Sequence, residues 1–375
     1  MQRRDALTCF GATGATLGLP AFAQAKAIVL GQSAAFTGPA SALGDQFKRG
    51  AQLFFDRVNA RGGVAGRAIE MQVLDDGYEP DRCAANTKKL LDSGVFALFG
   101  YIGTPTSLAA LPLATAAKVP FIAPFTGAEA LRTPFNRYAF HVRASYFDET
   151  AQIVKLLTTM GLKRIAVFYQ NDSYGKAGLD GVTRALAPLG LQAAALGTVE
   201  RNTVEVAAAV KSILAGNPDA IVQISAYKSC AAFIRAARGA GYRGTFYNVS
   251  FVGTKALADE LGKDARGVAV SQVMPFPFTP ASPLTAEYLS AGKAAGGGSF
   301  DPNYSSMEGF VAAKTLVEGL KRAGGNLTSE GLIAGLEAMH DVNLGGFYVD
   351  FSPQKHTGSK YVDLTILTEE GKVRR

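Results

Sequence analysis

Two short turns in this 375-residue sequence carry hydroxyls where a small anion could be held. The first, Gly103-Thr104-Pro105-Thr106-Ser107, follows the apolar run Val95 to Gly100 and opens a helical stretch that runs to Lys118. Thr104 stands where an N-cap belongs and Pro105 where the first helical residue belongs, so the amides of Thr106 and Ser107 are expected to lack an intrahelical acceptor. Free amides, a cap hydroxyl and the positive end of a helix dipole together suit a carboxylate. The second turn, Phe125-Thr126-Gly127, leaves the carboxyl end of the apolar strand Val119 to Pro124 and should open on the same side. In open α/β sheets ligands sit beyond the carboxyl ends of the strands. Taken alone, these residues would do no more than cap a helix; the rest of the chain gives them weight.

The elements that must position those turns alternate. Strand Ala27 to Gly31 precedes a helix from about Gly44 to Arg61, in which Ala51, Phe54, Phe55 and Val58 share a face. After the turn-rich connector Asn59 to Gly66 come strand Ile69 to Leu74, the pair Asp75-Asp76 and a helix from Asp81 to Leu91. Beside a turn, that acidic pair reads as surface and capping residues rather than a metal or acid/base pair. The pattern predicts a parallel sheet covered by helices on both faces. It restarts beyond Gly127: helix Asp148 to Met160, strand Arg164 to Tyr169, helix Gly175 to Leu189, strand Gln192 to Thr198, helix Val204 to Ala215 and strand Ala220 to Ile224. Helix Ser229 to Ala240, strand Gly244 to Asn248, helix Thr254 to Leu261 and strand Gly267 to Val273 complete a second sheet. The proline- and phenylalanine-rich run Met274 to Pro283 marks a crossing between lobes. Three helical stretches follow, near Leu284 to Ala294, Ser306 to Ala323 and Ser329 to Met339. The strand-like runs Phe347 to Phe351 and Tyr361 to Thr368 are expected to rejoin the second lobe. Two lobes linked by several strands form a hinge with a cleft.

Composition excludes several functions. With 48% hydrophobic and 18% charged residues the chain is globular rather than disordered. The net charge of +7 is spread as single residues and pairs with no basic run, so no nucleic-acid partner is expected. The three histidines, His141, His340 and His356, show no metal-ligand spacing, and no nucleophile elbow or P-loop is present; the reading is no enzyme, no metal and no cofactor. Residues 1–23 read as a secretory signal: Arg3 and Arg4 precede an apolar run from Ala6 to Leu19, and Ala21-Phe22-Ala23 offers a cleavage site near Ala23. No other segment reaches the roughly 18 apolar residues a membrane span needs. Beyond the signal only Cys83 and Cys230 remain; they fall on helices of different lobes and are expected buried and unpaired.

A sequence of motifs then points to a family. Phe36-Thr37-Gly38-Pro39, Asn59 to Gly66, Asp75-Asp76, Gly100 to Thr106, Val119 to Gly127, Phe140 to Ser145, Asp172 to Gly175 and Glu308 to Lys314 are each unspecific. In this order they resemble the leucine/isoleucine/valine-binding type of periplasmic solute-binding proteins that feed ABC importers. The resemblance covers essentially the whole chain after the signal. It implies an α/β type I periplasmic-binding fold, with two Rossmann-like lobes of parallel sheet joined by a hinge: residues 24–142 plus 274–344, and residues 143–273 plus 345–375. It further implies a periplasmic monomer that closes on a small carboxylate, usually an amino acid, and delivers it to an ABC permease at the membrane. The same fold also serves ligand sensors that report to a separate receptor.

By that resemblance the first lobe holds the carboxylate at Gly103 and Thr104 and at Phe125, Thr126 and Gly127, while the second contributes Tyr174 and Tyr227. One departure matters. Relatives that bind amino acids place an acid in the loop that here reads Tyr247 to Gly253, and Ser250 takes its position. A neutral hydroxyl does not balance a desolvated ammonium. Either another carboxylate reaches the cleft, with Glu308 and Asp172 as candidates, or the ligand is an acid without an amine. Phe36, Tyr101, Phe125, Tyr174 and Phe251 are the aromatic residues placed to line a pocket for a flat ring.

Overall fold

The computed structural model describes residues 26–296 and 300–375; the expected signal, residues 1–23, lies outside them. The first lobe begins with β1 (Ile28–Ala34), α1 (Ser41–Asn59), β2 (Ile69–Asp75), α2 (Pro80–Asp92), β3 (Ala97–Phe99), α3 (Thr104–Ala116), β4 (Phe121–Ile122) and β5 (Ala139–Phe140). Its five strands are all parallel, in the order β2-β1-β3-β4-β5. Helix α1 forms because Leu43, Phe47, Ala51, Phe54 and Phe55 recur at helical spacing and bury one face on the sheet. Asp75 and Asp76 tie down the turns at the carboxyl edge: Asp75 accepts from the amides of Phe36 (2.8 Å) and Gly77 (3.0 Å), and Asp76 from Ser33 Oγ and the Tyr78 amide, both at 2.8 Å. Asp76 is wholly buried, so the expectation of a surface residue holds for Asp75 and not for Asp76.

The second lobe runs α4 (Tyr146–Thr159), β6 (Ile165–Gln170), α5 (Ser173–Leu186), β7 (Leu196–Val199), α6 (Ala207–Ala215), β8 (Ala220–Ile224), α7 (Tyr227–Gly239), β9 (Thr245–Asn248), α8 (Thr254–Leu261) and β10 (Val268–Gln272). After β10 the chain returns to pack α9 (Pro283–Gly296), α10 (Tyr304–Ala323) and α11 (Ser329–Glu337) with the first lobe, α10 lying along α1. Their approach is close because glycines meet backbone there. A Cβ on Gly50 would lie 1.7 Å from the Ser306 carbonyl oxygen, and one on Gly309 would lie 2.0 Å from that of Phe47. Glu308 is the chain neighbour of Gly309 in that contact.

The last strands differ from expectation. β11 (Val342–Asn343) and β12 (Tyr348–Val349) form a separate antiparallel hairpin around Gly345 and Gly346, both at φ 105°. Only β13 (Asp363–Leu367) and β14 (Val373–Arg374) join the second sheet, as antiparallel strands in the order β14-β13-β10-β9-β8-β6-β7. Two of the crossing segments run side by side: the His141 amide donates to the His356 carbonyl at 2.8 Å, the Gly358 amide donates to the His141 carbonyl at 2.7 Å, and the His356 ring stacks 3.7 Å from Phe140. Cys83, on α2, and Cys230, on α7, are buried free thiols.

Candidate functional site

The first-lobe wall is built where β3 and β4 end. Gly103, at φ 96°, caps α3, and Thr104 is its first helical residue, one position earlier than the sequence suggested. The positive φ and the contact with Tyr78 decide this: a Cβ on Gly103 would come within 2.2 Å of that ring. The Ser107 amide consequently donates to the Gly103 carbonyl at 3.1 Å and is not free. The Thr106 hydroxyl is also spent, donating to Gly103 O at 3.0 Å. Open amides in the first turn therefore belong to Thr104 and Thr106. Across the gap between the strand ends the Thr104 and Thr126 hydroxyls lie 2.6 Å apart, and Thr126 Oγ1 also receives the Ala128 amide at 3.3 Å. Gly127 accepts from the Tyr146 amide at 2.8 Å and leaves no space for a side chain beside that ring.

Aromatic rings close the opposite side. Phe251 is central: its ring lies 4.5 Å from Tyr174, 5.7 Å from Phe125 and 5.9 Å from Tyr78. Tyr146 adds a contact to Tyr174 at 5.5 Å. The Tyr174 hydroxyl is buried without a partner, and burial pushes its ionisation well above that of an ordinary phenol. Tyr101, Phe36 and Tyr227 are not brought to this cluster. Tyr101 points into the α2–α3 side of the first lobe, with its hydroxyl 3.1 Å from Thr87 Oγ1 and its ring on Phe121. Phe36 packs under Lys48. Tyr227 starts α7 and is buried, with no ring contact to Phe251 or Tyr174.

Beside the rings sits a group of buried charges. Ser250 does not face an open cleft: its amide and hydroxyl donate to Glu149 at 2.7 and 2.9 Å. Ser271 donates to the same carboxylate. Arg143, 1% exposed, lies 3.5 Å from Glu149 and 3.6 Å from Glu308, donates to Ser250 Oγ, and covers the Phe125 ring at 4.8 Å. Burial opposes the charge on Arg143, yet Glu308 and Glu149 hold its pKa above the ordinary value. Glu308 makes no hydrogen bond, and burial pushes its carboxyl up to about 7 although Arg143 pulls the other way. Asp172, the other candidate acid, is spent as the N-cap of α5: it accepts from the amides of Tyr174 and Gly175 and from Gln170, and pairs with Arg201.

Arg143 and Glu149 were missed as site residues. Arg143 lies in the stretch Phe140 to Ser145, which was read only as a motif. Glu149 had a legible signal: the Ser145/Asp148 capping box starts α4, and Tyr146, Glu149, Thr150 and Ile153 then fall on its buried face.

The lobes touch around this group. The space bounded by Phe125, Ser250, Gln272, Tyr304 and Glu308 is about 10 Å³. At the lips Arg201 of the second lobe reaches Glu79 of the first at 2.8 Å, and Asn202 reaches Glu79 at 2.7 Å. Among the described residues no cluster of metal-ligating side chains is present, and no helix is long and apolar enough to cross a membrane.

Comparison with known proteins agrees with this architecture. The family described as periplasmic binding protein matches residues 27–372. A Leu/Ile/Val-binding protein homolog of Brucella abortus is 25% identical over 317 residues, covering 80% of this chain and 78% of the relative. Among solved structures, a possible leucine/isoleucine/valine-binding protein from Rhodopirellula baltica superposes with a TM-score of 0.90 at 32% identity, covering 94% of this chain and 96% of that one. A substrate-binding periplasmic protein from Ralstonia solanacearum gives a TM-score of 0.87 at 31% identity, covering 92% and 99%. Membership implies a periplasmic location. The chain belongs to the periplasmic binding protein family, with relatives of the Leu/Ile/Val-binding type, and is a solute-binding protein rather than an enzyme.

Proposed function

We propose that this protein is the solute-binding component of an ABC importer, exported with residues 1–23 removed, and that it closes its two lobes on a small carboxylate and presents it to a membrane permease. The observation that carries the reading is the hydroxyl pair Thr104 and Thr126, 2.6 Å apart at the carboxyl ends of adjacent parallel strands, with the open first turn of α3 behind it. A carboxylate there receives hydroxyl and amide donors from the first lobe, while Tyr174 and Phe251 of the second cover it. Ligand that touches both walls favours the closed arrangement by the difference in its contacts between the two states. The names of its relatives support a ligand of amino-acid size with an apolar side chain.

The test is a thermal-shift screen of the purified protein against amino acids, their deaminated counterparts and substituted benzoates. A ligand bound only by the folded state raises Tm, by roughly 2.7 kcal/mol of stabilisation at a hundredfold excess over Kd. If no small carboxylate raises Tm, the reading is wrong.

A further inference from the structure

Resting on that reading, we infer that the ligand is a carboxylate with a ring or branched apolar body and no ammonium group, and that Arg143 is the residue that selects it. The place between Glu149 and Glu308 is already filled by a cation of the chain, 3.5 and 3.6 Å from the two acids. A ligand ammonium would have to enter a desolvated site beside a guanidinium, and like charges held a few ångströms apart out of water repel strongly.

The hydrogen-bond inventory points the same way. Glu149 is committed, receiving the Ser250 amide and hydroxyl and the Ser271 hydroxyl. On the donor side, Nε of Arg143 and the Tyr174 hydroxyl are buried with no hydrogen-bond partner, and Nη1 of Arg143 has only the 3.6 Å ion pair with Glu308. Around Arg143 itself, then, Glu308 apart, the groups without a hydrogen bond are donors. An ammonium brings three more donors and no acceptor, whereas a carboxylate brings about four lone-pair sites. Glu308 alone would remain to receive an ammonium. Burial raises its carboxyl to about 7, so below that pH Glu308 is largely protonated and Glu149 is the one carboxylate still paired with Arg143. The rings of Tyr78, Phe125, Tyr146, Tyr174 and Phe251 supply the apolar surface for the rest of the molecule.

The experiment is titration calorimetry of the purified protein with matched pairs that differ only in the amine: phenylalanine against 3-phenylpropionate, and leucine against 4-methylpentanoate. The amine-free member of at least one pair should bind at least about tenfold tighter, a difference of about 1.4 kcal/mol. An amino acid that binds as tightly as its partner or tighter overturns this inference and leaves the carboxylate reading intact. Failure of every carboxylate overturns both. Arg143→Lys should weaken the acid and shrink the ratio between pair members, a change that a purely structural role for Arg143 would not produce. Because altering Arg143 threatens folding, Glu308→Gln provides an independent arm: measured at pH near 8, where Glu308 is ionised and competes for Arg143, it should tighten binding of the acid. Loss of acid binding, or loss of tight amino-acid binding, in that variant overturns the assignment.

Discussion

The side-chain oxygens of Thr104 and Thr126 sit 2.6 Å apart although 22 residues separate them, each presented by the exit of a different parallel strand. Charge-assisted hydrogen bonds contribute about 1.5–3 kcal/mol, so Thr104→Ala should weaken the true ligand by about tenfold or more. Thr104→Ser, which keeps the oxygen, should lose far less. Calorimetry on both variants checks this, and an unchanged Kd for Thr104→Ala removes the residue from the site.

Glu308 should make stability fall with pH. Its carboxyl is raised from the ordinary 4.5 to about 7 by burial, so between those values the folded state holds a proton that the unfolded chain has released. The stabilisation is complete below 4.5 and is lost as pH rises through about 7. Asp76, raised by burial to about 6, acts in the same direction, so the comparison must be made against a variant. Glu308→Gln should flatten the Tm profile across this window and melt above the wild type at pH near 8. Parallel profiles for the two proteins would show that Glu308 is not the titrating group.

Gly103→Ala should be costly. Its φ of 96° lies where a side chain is strained, and the added Cβ would meet Tyr78 at 2.2 Å. Left-handed strain and overpacking together amount to about 2–4 kcal/mol. Gly94→Ala, also at positive φ but with open space around it, should lose only the backbone part. Chemical denaturation of both variants separates the two contributions. Equal losses would mean that the Tyr78 ring moves aside freely.

Much of this architecture is legible along the chain. The alternation of short apolar runs with 3.6-period stretches places nearly every strand and helix, because period and length are local properties that burial of one face requires. The hydroxyl turns at Gly103-Thr104 and Phe125-Thr126-Gly127 are legible for the same reason: a turn after a parallel strand stands at the carboxyl edge whatever else the fold does. Two-residue strands such as β5 are too short to carry a period. The hairpin of β11 and β12 looked like part of a sheet because alternation does not say which strand lies alongside.

The identity of the charged group is of another kind. Tyr101 and Tyr78 are both tyrosines near strand ends, yet one turns into the α2–α3 side and the other toward the second lobe. Nothing local distinguishes them. Arg143, Glu149 and Glu308 come from the first crossing segment, the first turn of α4 and the N-terminal part of α10, and acquire their burial and their mutual distances from the packing of α10 on α1 and of one lobe on the other. Order along the chain settles which elements form and which edge is receptive. The charge that the receptive edge presents arises from contacts between residues as far apart as 143 and 308, through desolvation and Coulomb interactions that depend on distance in space and not on separation in sequence.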